Sequence, residues 1–280
     1  MAEKFDTGRR PVWCPGCGNF GILVALRRAL ARLGLEPEEV VLVTGIGCHG
    51  RMSGYVRANT FHTIHGRVLP LATGIKLANP SLTVIGHSGD GDAYAIGLGH
   101  LPHAARRNID VTLIVHDNMV FGLTTGQATP TTPKGRITRS TPYGNPEEPL
   151  NPLFLALASG ATFVARGFSG DIAHLEELIV RAIRHEGFSF LDVIQPCATF
   201  FNIYGEVRRR VYKLEDEGHD TRSLEAAIRK SLETERIPIG VFFETKKPPF
   251  RENFPHAMSP PPGQRVPRSV DLSHVWSRYR

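Results

Sequence analysis

Two stretches decide the fold: Leu82-Thr83-Val84-Ile85-Gly86, which runs through His87 into Ser88-Gly89-Asp90-Gly91-Asp92, and Val111-Thr112-Leu113-Ile114-Val115, which runs into His116-Asp117-Asn118-Met119-Val120. Each is a short apolar run that ends in a polar turn. The segment between them, Ala93 to Arg107, has helical character. Strand, turn, helix, strand, turn is the pattern of a βαβ unit, in which two parallel strands end at the same edge of a sheet. Ligands of open α/β sheets bind at that edge.

The residues at the two turns suggest which ligand. Asp90 offers a carboxylate and Asn118 an amide oxygen, and backbone carbonyls are free where a strand ends. Mg²⁺ takes hard oxygen ligands and commonly retains a phosphate. Gly89 and Gly91 let the backbone come close, and the start of the following helix presents N–H groups to a diphosphate. A tight Gly-Asp turn with no ligand is the competing reading. The flanking strands and the distant Asn weigh against it.

Outward from this unit the chain continues to alternate. Helical spacing runs from Phe20 to Leu33, and Val40-Val41-Leu42-Val43 is a buried strand that leads into the glycine-rich Thr44 to Arg51. A short piece then leads to Phe61 through Arg67, and Leu69 to Ala78 reads as a helix. Gly122 to Thr141, rich in Gly, Thr, Pro and Gln, reads as an ordered loop over the site. Helix, strand, helix and strand follow over Leu153–Ala158, Thr162–Ala165, Ile172–His185 and Phe188–Ile194. Charged helical stretches are expected around Val207–Glu215 and Ser223–Glu235, with a late apolar run at Ile239–Phe243 and a Pro/Arg-rich extended arm from Pro248 onward. The fold expected is α/β, a doubly wound parallel sheet. Residues 1–200 form the binding domain and 201–280 a helical extension with its arm.

The chain has 280 residues and a net charge of +6. No apolar run reaches the roughly 18 residues of a membrane span, and no signal-peptide pattern opens the chain. The expectation is a cytoplasmic protein that meets no membrane. The basic residues are dispersed and carry no recognition motif, so nucleic acid is not an expected partner. Cys14 and Cys17 form a C-x2-C pair, while Cys48 and Cys197 each follow a strand. Without export signals, four cysteines point to metal or redox chemistry rather than disulfides. Structural zinc, an iron–sulfur cluster and four unrelated thiols are all open readings. One close pair with two scattered singles suits a cluster better than zinc, which usually takes two close pairs.

The Gly89-Asp90-Gly91 turn followed at this distance by Asn118 resembles the signature of thiamine-diphosphate enzymes. The wider string, GDGDAYAIGLGHLPHAARRN…HDNMVFGLTTGQATPT, resembles the β subunits of 2-oxoacid:ferredoxin oxidoreductases, and the likeness runs from Trp13 to about Pro248. The resemblance implies thiamine diphosphate with Mg²⁺ held by Asp90, Asn118 and the Val120 carbonyl. It implies cofactor contacts from Ile46, Gly47, Cys48, His49, His65, Gly91, Asp92, Gly122 and Leu123, and a 4Fe–4S cluster on Cys14, Cys17, Cys48 and Cys197. Arg51 is the candidate for the substrate carboxylate, because a guanidinium forks onto one; an Arg at a contact between subunits is the alternative. With Arg51, His49 and Leu123 are the candidates at the reacting end. No Glu follows the first strand to meet the aminopyrimidine, so the chain reads as half a site. The implied partners are an α subunit that supplies that Glu, in an αβ heterodimer or its dimer, then ferredoxin, coenzyme A and a 2-oxoacid. Arg51, Leu123 and the His65-Gly66-Arg67 run resemble the 2-oxoglutarate or broad 2-oxoacid type more than the pyruvate type; 2-oxoglutarate is the substrate expected, with pyruvate or broad 2-oxoacid specificity the alternative. A non-redox thiamine enzyme with structural zinc and an interaction subunit without cofactor are the rival classes.

Overall fold

The computed structural model describes residues 2–253 and 273–278. Eight strands form one sheet: β1 (Val40–Thr44), β2 (Asn59–His62), β3 (Thr83–Gly89), β4 (Thr112–Asp117), β5 (Phe163–Phe168), β6 (Ser189–Ile194), β7 (Val211–Lys213) and β8 (Ile237–Glu244). Their order is β2-β1-β3-β4-β6-β5-β8-β7. All pairs are parallel except β5 with β8. The expected parallel sheet is present, with one antiparallel pairing added at its flank. β5 and β8 are both buried strands, and their antiparallel pairing lets the late apolar run close that side.

Alternation along the central strands divides the core into two layers. Leu42, Ile85, Ile114 and Leu191 pack towards α1 (Asn19–Arg32) and α5 (Ile172–Arg184). Val41, Val43, Val84, Leu113 and Phe190 face the other way, where α2 (Val68–Ala78), α3 (His100–Arg107), α4 (Pro152–Ala158) and α7 (Leu224–Ser231) contribute residues. Helices on both faces make the sheet doubly wound. Order reverses between β1 and β3, since the chain moves outward to β2 and then returns. That reversal opens a crevice at the carboxyl ends of β1 and β3.

Three local expectations change. β2 is not legible in the sequence, because it is an exposed edge strand with no buried face to impose alternation. The helix expected over Ala93–Arg107 is broken. Asp92–Ile96 form one π-helical turn, closed by Gly97 N donating to the Asp92 carbonyl at 3.1 Å, and α3 begins only at His100. Gly66 Cα packs against Gly97 there, and no helical side chain would fit between them. Finally, Val207–Glu215 is not one helix: α6 (Tyr204–Arg210) ends at Arg210, and Val211–Lys213 pair with β8. The Pro/Arg-rich arm lies, over 254–272, outside the described residues.

α1 sits tightly against the turn after β5. A Cβ at Gly21 would lie 2.0 Å from the Ser169 carbonyl oxygen. Backbone cannot yield there as a side chain can. Gly21→Ala is expected to lower stability by about 1–3 kcal/mol, the usual cost of overpacking, read as a lower urea midpoint with an unchanged slope.

Candidate cofactor site

The crevice between β1 and β3 widens into a cavity of about 500 Å³. Parallel register sets its walls. Thr44 pairs with His87, Gly89 with His116, and Asp117 with Ile194, so four strands deliver their turns to one edge. All the residues expected at the cofactor, Ile46, Gly47, Cys48, His49, His65, Gly91, Asp92, Gly122 and Leu123, line this cavity. So do Asp90, Asn118 and Val120. Phe121, Thr124 and Gln127 also line it and were not singled out from sequence.

Asp92 lines the cavity and also holds its walls together. Its carboxylate accepts from Gly66 N at 2.7 Å and Ile46 N at 3.2 Å, and the Ser88 hydroxyl donates to its other oxygen. His65 Nδ1 lies 2.8 Å away, without hydrogen-bond alignment. Asp92 thus ties the loop after β1 to the 64–67 turn and the end of β3. At Gly47 φ is +148°, and a Cβ there would meet the His49 ring at 2.8 Å. Only glycine turns this loop while His49 stays buried.

The floor is acidic. Asp90, Asp117 and Asp192 are each almost wholly buried. The Thr131 hydroxyl lies 2.9 Å from both Asp90 Oδ2 and Asp117 Oδ1, and its single proton is shared between them. Burial pushes Asp90 up to about 6, against the hydrogen bonds of Thr129 and Thr131. Asp117 is driven well above the usual carboxylate range by burial and by Asp192 and Asp90 beside it. Arg166 answers Asp192, with Nε 3.0 Å from Oδ2. The cluster has more negative than positive groups, which a divalent cation would correct. The carboxylate of Asp90, the amide oxygen of Asn118 and the carbonyl of Val120 form a hard-oxygen donor set that fits Mg²⁺. Asn118 Oδ1 now accepts from Val120 N at 3.0 Å and has a second lone pair free. Thr131 had no signal in its spacing; its role follows from the Gly122–Thr141 loop folding back over the site.

The four cysteines, far apart in sequence, come together beside this cavity. Burial lifts the Cys17 thiol to about 11, and the neighbouring Cys48, Cys197 and Cys14 thiols add to the rise. Gly122 leaves space between two of them, since a Cβ there would lie 3.7 Å from both Cys48 Sγ and Cys197 Sγ. Trp13 fixes the knuckle to the Cys48 loop, donating from Nε1 to the Cys48 carbonyl at 2.7 Å and packing edge-on against Phe20 and Tyr55. Phe200 N points at Cys197 Sγ, 3.4 Å away. These are donors and a cradle that a thiolate-bound cluster can use. Among the described residues, no three His, Cys, Asp or Glu side chains gather at direct ligating distance of one ion.

Arg51 does not line the cofactor cavity. It lines an adjoining hollow of about 500 Å³, with Arg9 and His62, and the two spaces share Ile46, Gly47 and Leu123. Burial and the neighbouring Cys197 and Cys14 raise the Cys48 thiol, and the charge of Arg51 works against that rise.

Behind the cavity runs a chain of buried imidazoles. His87 Nδ1 lies 2.9 Å from His116 Nε2, and His116 Nδ1 lies 2.7 Å from Asn19 Oδ1. His49 packs on His116 with ring centroids 5.8 Å apart. Burial lowers His87 to about 3 and His49 to about 4, and holds His116 well below its ordinary value. All three are neutral when folded, but titrate near 6.5 when unfolded. Below that pH the unfolded chain takes up more protons, so the stability present above pH 6.5 is lost as pH falls. The loss is up to ~1.4 kcal/mol per unit for each histidine. The raised Asp90 and Asp117 work in the opposite direction over this range, so the contribution is read as a difference: between pH 6.5 and 5 the thermal midpoint of His87→Gln is expected to fall less than that of the wild type, by the equivalent of about one proton.

Comparison with known proteins gives a consistent set of likenesses. The family model for the thiamine pyrophosphate enzyme, C-terminal TPP binding domain, matches residues 45–193. The one for the C terminal of the pyruvate ferredoxin oxidoreductase beta subunit matches residues 197–259. The 2-oxoacid:ferredoxin oxidoreductase subunit beta of Saccharolobus solfataricus is 47% identical over 274 residues, 91% of this chain and 90% of that one. The 2-oxoglutarate synthase subunit KorB of Archaeoglobus fulgidus is 48% identical over 188 residues, 67% of this chain and 70% of that one. The solved structure of 2-oxoglutarate:ferredoxin oxidoreductase from Magnetococcus marinus, with 2-oxoglutarate, coenzyme A and succinyl-CoA bound, superposes with a TM-score of 0.92 at 37% identity. It covers 100% of this chain and 96% of the matched chain. Among the described residues no helix is long and apolar enough to cross a membrane.

Proposed function

Because this chain belongs to the β subunits of the 2-oxoacid:ferredoxin oxidoreductases, we propose that it converts 2-oxoglutarate and coenzyme A to succinyl-CoA and CO₂, or runs the reverse, with electrons exchanged with ferredoxin. The observation that carries this reading is the convergence of two donor sets at one sheet edge. Asp90, Asn118 and the Val120 carbonyl provide hard oxygens on one wall of the cavity, and Cys48 lines the same cavity. Two-electron carbon chemistry and one-electron transfer then share a wall.

Thiamine diphosphate, when bound, supplies the carbanion-stabilising centre that decarboxylation of a 2-oxoacid needs. The chain's own residues do the rest. Asp90, Asn118 and Val120 would hold Mg²⁺, and Ile46, Gly47, His49, His65, Gly91 and Gly122 would enclose the cofactor. Asp92 keeps the loop and turn that carry them in register. Cys14, Cys17, Cys48 and Cys197 would hold a 4Fe–4S cluster that takes electrons singly. Arg51 would receive a carboxylate of the substrate in the hollow that adjoins the cavity at Leu123, and the second carboxylate of 2-oxoglutarate suits its reach. The apolar side chains Ile46 and Leu123 are exposed on the cavity wall, and Ile64 and Ile96 are exposed next to His65 and Gly66. An α subunit docking there would cover them and bring the carboxylate that the aminopyrimidine requires. The enzyme would work in the cytoplasm as an αβ heterodimer or its dimer.

The test is an anaerobic visible and EPR spectrum of the protein purified with its α partner, with iron and sulfide assayed. An absorption that bleaches on adding 2-oxoglutarate and coenzyme A, with about four irons per chain, is expected; a colourless zinc protein would sink the ferredoxin reading. Arg51→Ala is expected to raise KM for 2-oxoglutarate by about ten- to a hundredfold, the loss of one charge-assisted bond, with kcat changed far less. Unaltered steady-state kinetics would remove Arg51 from the substrate site.

A further inference from the structure

Gln195 is 1% exposed and lies between the two donor sets. It follows β6 directly, and β6 pairs in register with β4 up to Asp117 and Ile194. The next residue on each strand is therefore side by side: Asn118 on one and Gln195 on the other. Gln195 N donates to the Asp117 carbonyl at 2.8 Å, which fixes the backbone. Its Oε1 accepts from Asn118 Nδ2 at 3.3 Å, and its Nε2 reaches the Pro196 carbonyl at 3.1 Å and Cys17 Sγ at 3.5 Å.

The orientation of both amides is determined at the ends of this chain of contacts. Val120 N–H can only donate, so the Asn118 atom it meets is the oxygen. The Pro196 carbonyl can only accept, so the Gln195 atom it meets is the nitrogen. One assignment satisfies both, and it directs an N–H at the Cys17 sulfur. Glycine at 18 makes the approach possible, because a Cβ there would lie 2.9 Å from Gln195 Cγ.

We propose that Gln195 is a positioning residue that couples the two sites, holding Asn118 so that its oxygen faces the metal and donating a hydrogen bond to the Cys17 thiolate of the cluster. The inference rests on the reading above that Asn118 ligates Mg²⁺ and Cys17 the cluster. An N–H on a cluster sulfur stabilises the reduced, more negative state and raises the potential. A cation on Asn118 Oδ1 draws charge from the amide and strengthens its N–H, which polarises Gln195 and strengthens the bond to sulfur. Cofactor binding and cluster reduction then favour each other, and the linkage is reciprocal. A full cofactor site makes the cluster a better acceptor.

The experiment uses the αβ complex with its cluster intact, prepared with and without thiamine diphosphate and Mg²⁺. The cluster's midpoint potential is read by EPR-monitored titration, and the dissociation constant of Mg²⁺-thiamine diphosphate by calorimetry. In the wild type the potential is expected to rise when the cofactor is bound. Gln195→Met matches the shape and loses both bonds. It should leave about tenfold less reduced cluster at a fixed potential, about 59 mV for one electron, weaken the cofactor on the order of tenfold and abolish the cofactor-dependent rise. No rise in the wild type, or a full rise in Gln195→Met, would overturn the coupling. A complex with no iron would instead remove the cluster reading and this proposal with it.

Discussion

Parallel register is the constraint on which the rest of this molecule depends. Four neighbouring strands, β1, β3, β4 and β6, run the same way and end at nearly the same level. Most of the turns that line the site continue one of them. Ile46 to His49 follow β1, Asp90 to Asp92 follow β3, Asn118 to Val120 follow β4, and Gln195 and Cys197 follow β6. A shift of one residue in any pair would turn its side chains to the opposite face and take its terminal side chain out of the cavity. The two buried layers that enforce alternation are thus also what aligns the side chains around the cavity.

Electrostatics adds a second condition. Three carboxylates sit under the cavity with one guanidinium among them, and the hydroxyl of Thr131 cannot serve two of them fully. Burial by the sheet and its loops disfavours the charged forms and raises Asp90 and Asp117, a cost that the rest of the fold offsets. Beside it, neutral imidazoles at 49, 87 and 116 keep the wall between the cavity and α1 free of charge at neutral pH. An acidic floor and a neutral wall would confine a bound cation to the side of Asp90.

The N-terminal knuckle shows how a distant segment joins this edge. Gly18 and Gly21 let α1 and its preceding turn lie directly on residues 169 and 195. Trp13 then reaches across to the Cys48 carbonyl. Three small contacts between backbone and side chain bring Cys17 against a residue that follows the sixth strand. The same packing makes Gln195 adjacent to both Asn118 and Cys17.

Sequence alone determined the βαβ centre, the helices that flank it and the residue types at the strand ends. These are local: apolar runs, helical periodicity and turn residues are encoded within windows of a few amino acids. Asp90, Asn118 and the four cysteines stand out as candidates in the sequence because residue type and spacing carry the chemistry they are expected to do, and the structure brings Asp90, Asn118 and Cys48 to one cavity. The tertiary structure decided what depends on neighbours far apart in the chain. It showed that Val211–Lys213 join the sheet as a strand, and that β8 pairs antiparallel with β5. It turned Asp92 towards the Ile46 and Gly66 amides, placed Thr131 between two carboxylates and set Gln195 between Asn118 and Cys17. None of these has a local signature, since a hydrogen bond between strands is specified by register and packing, and those are properties of the folded whole.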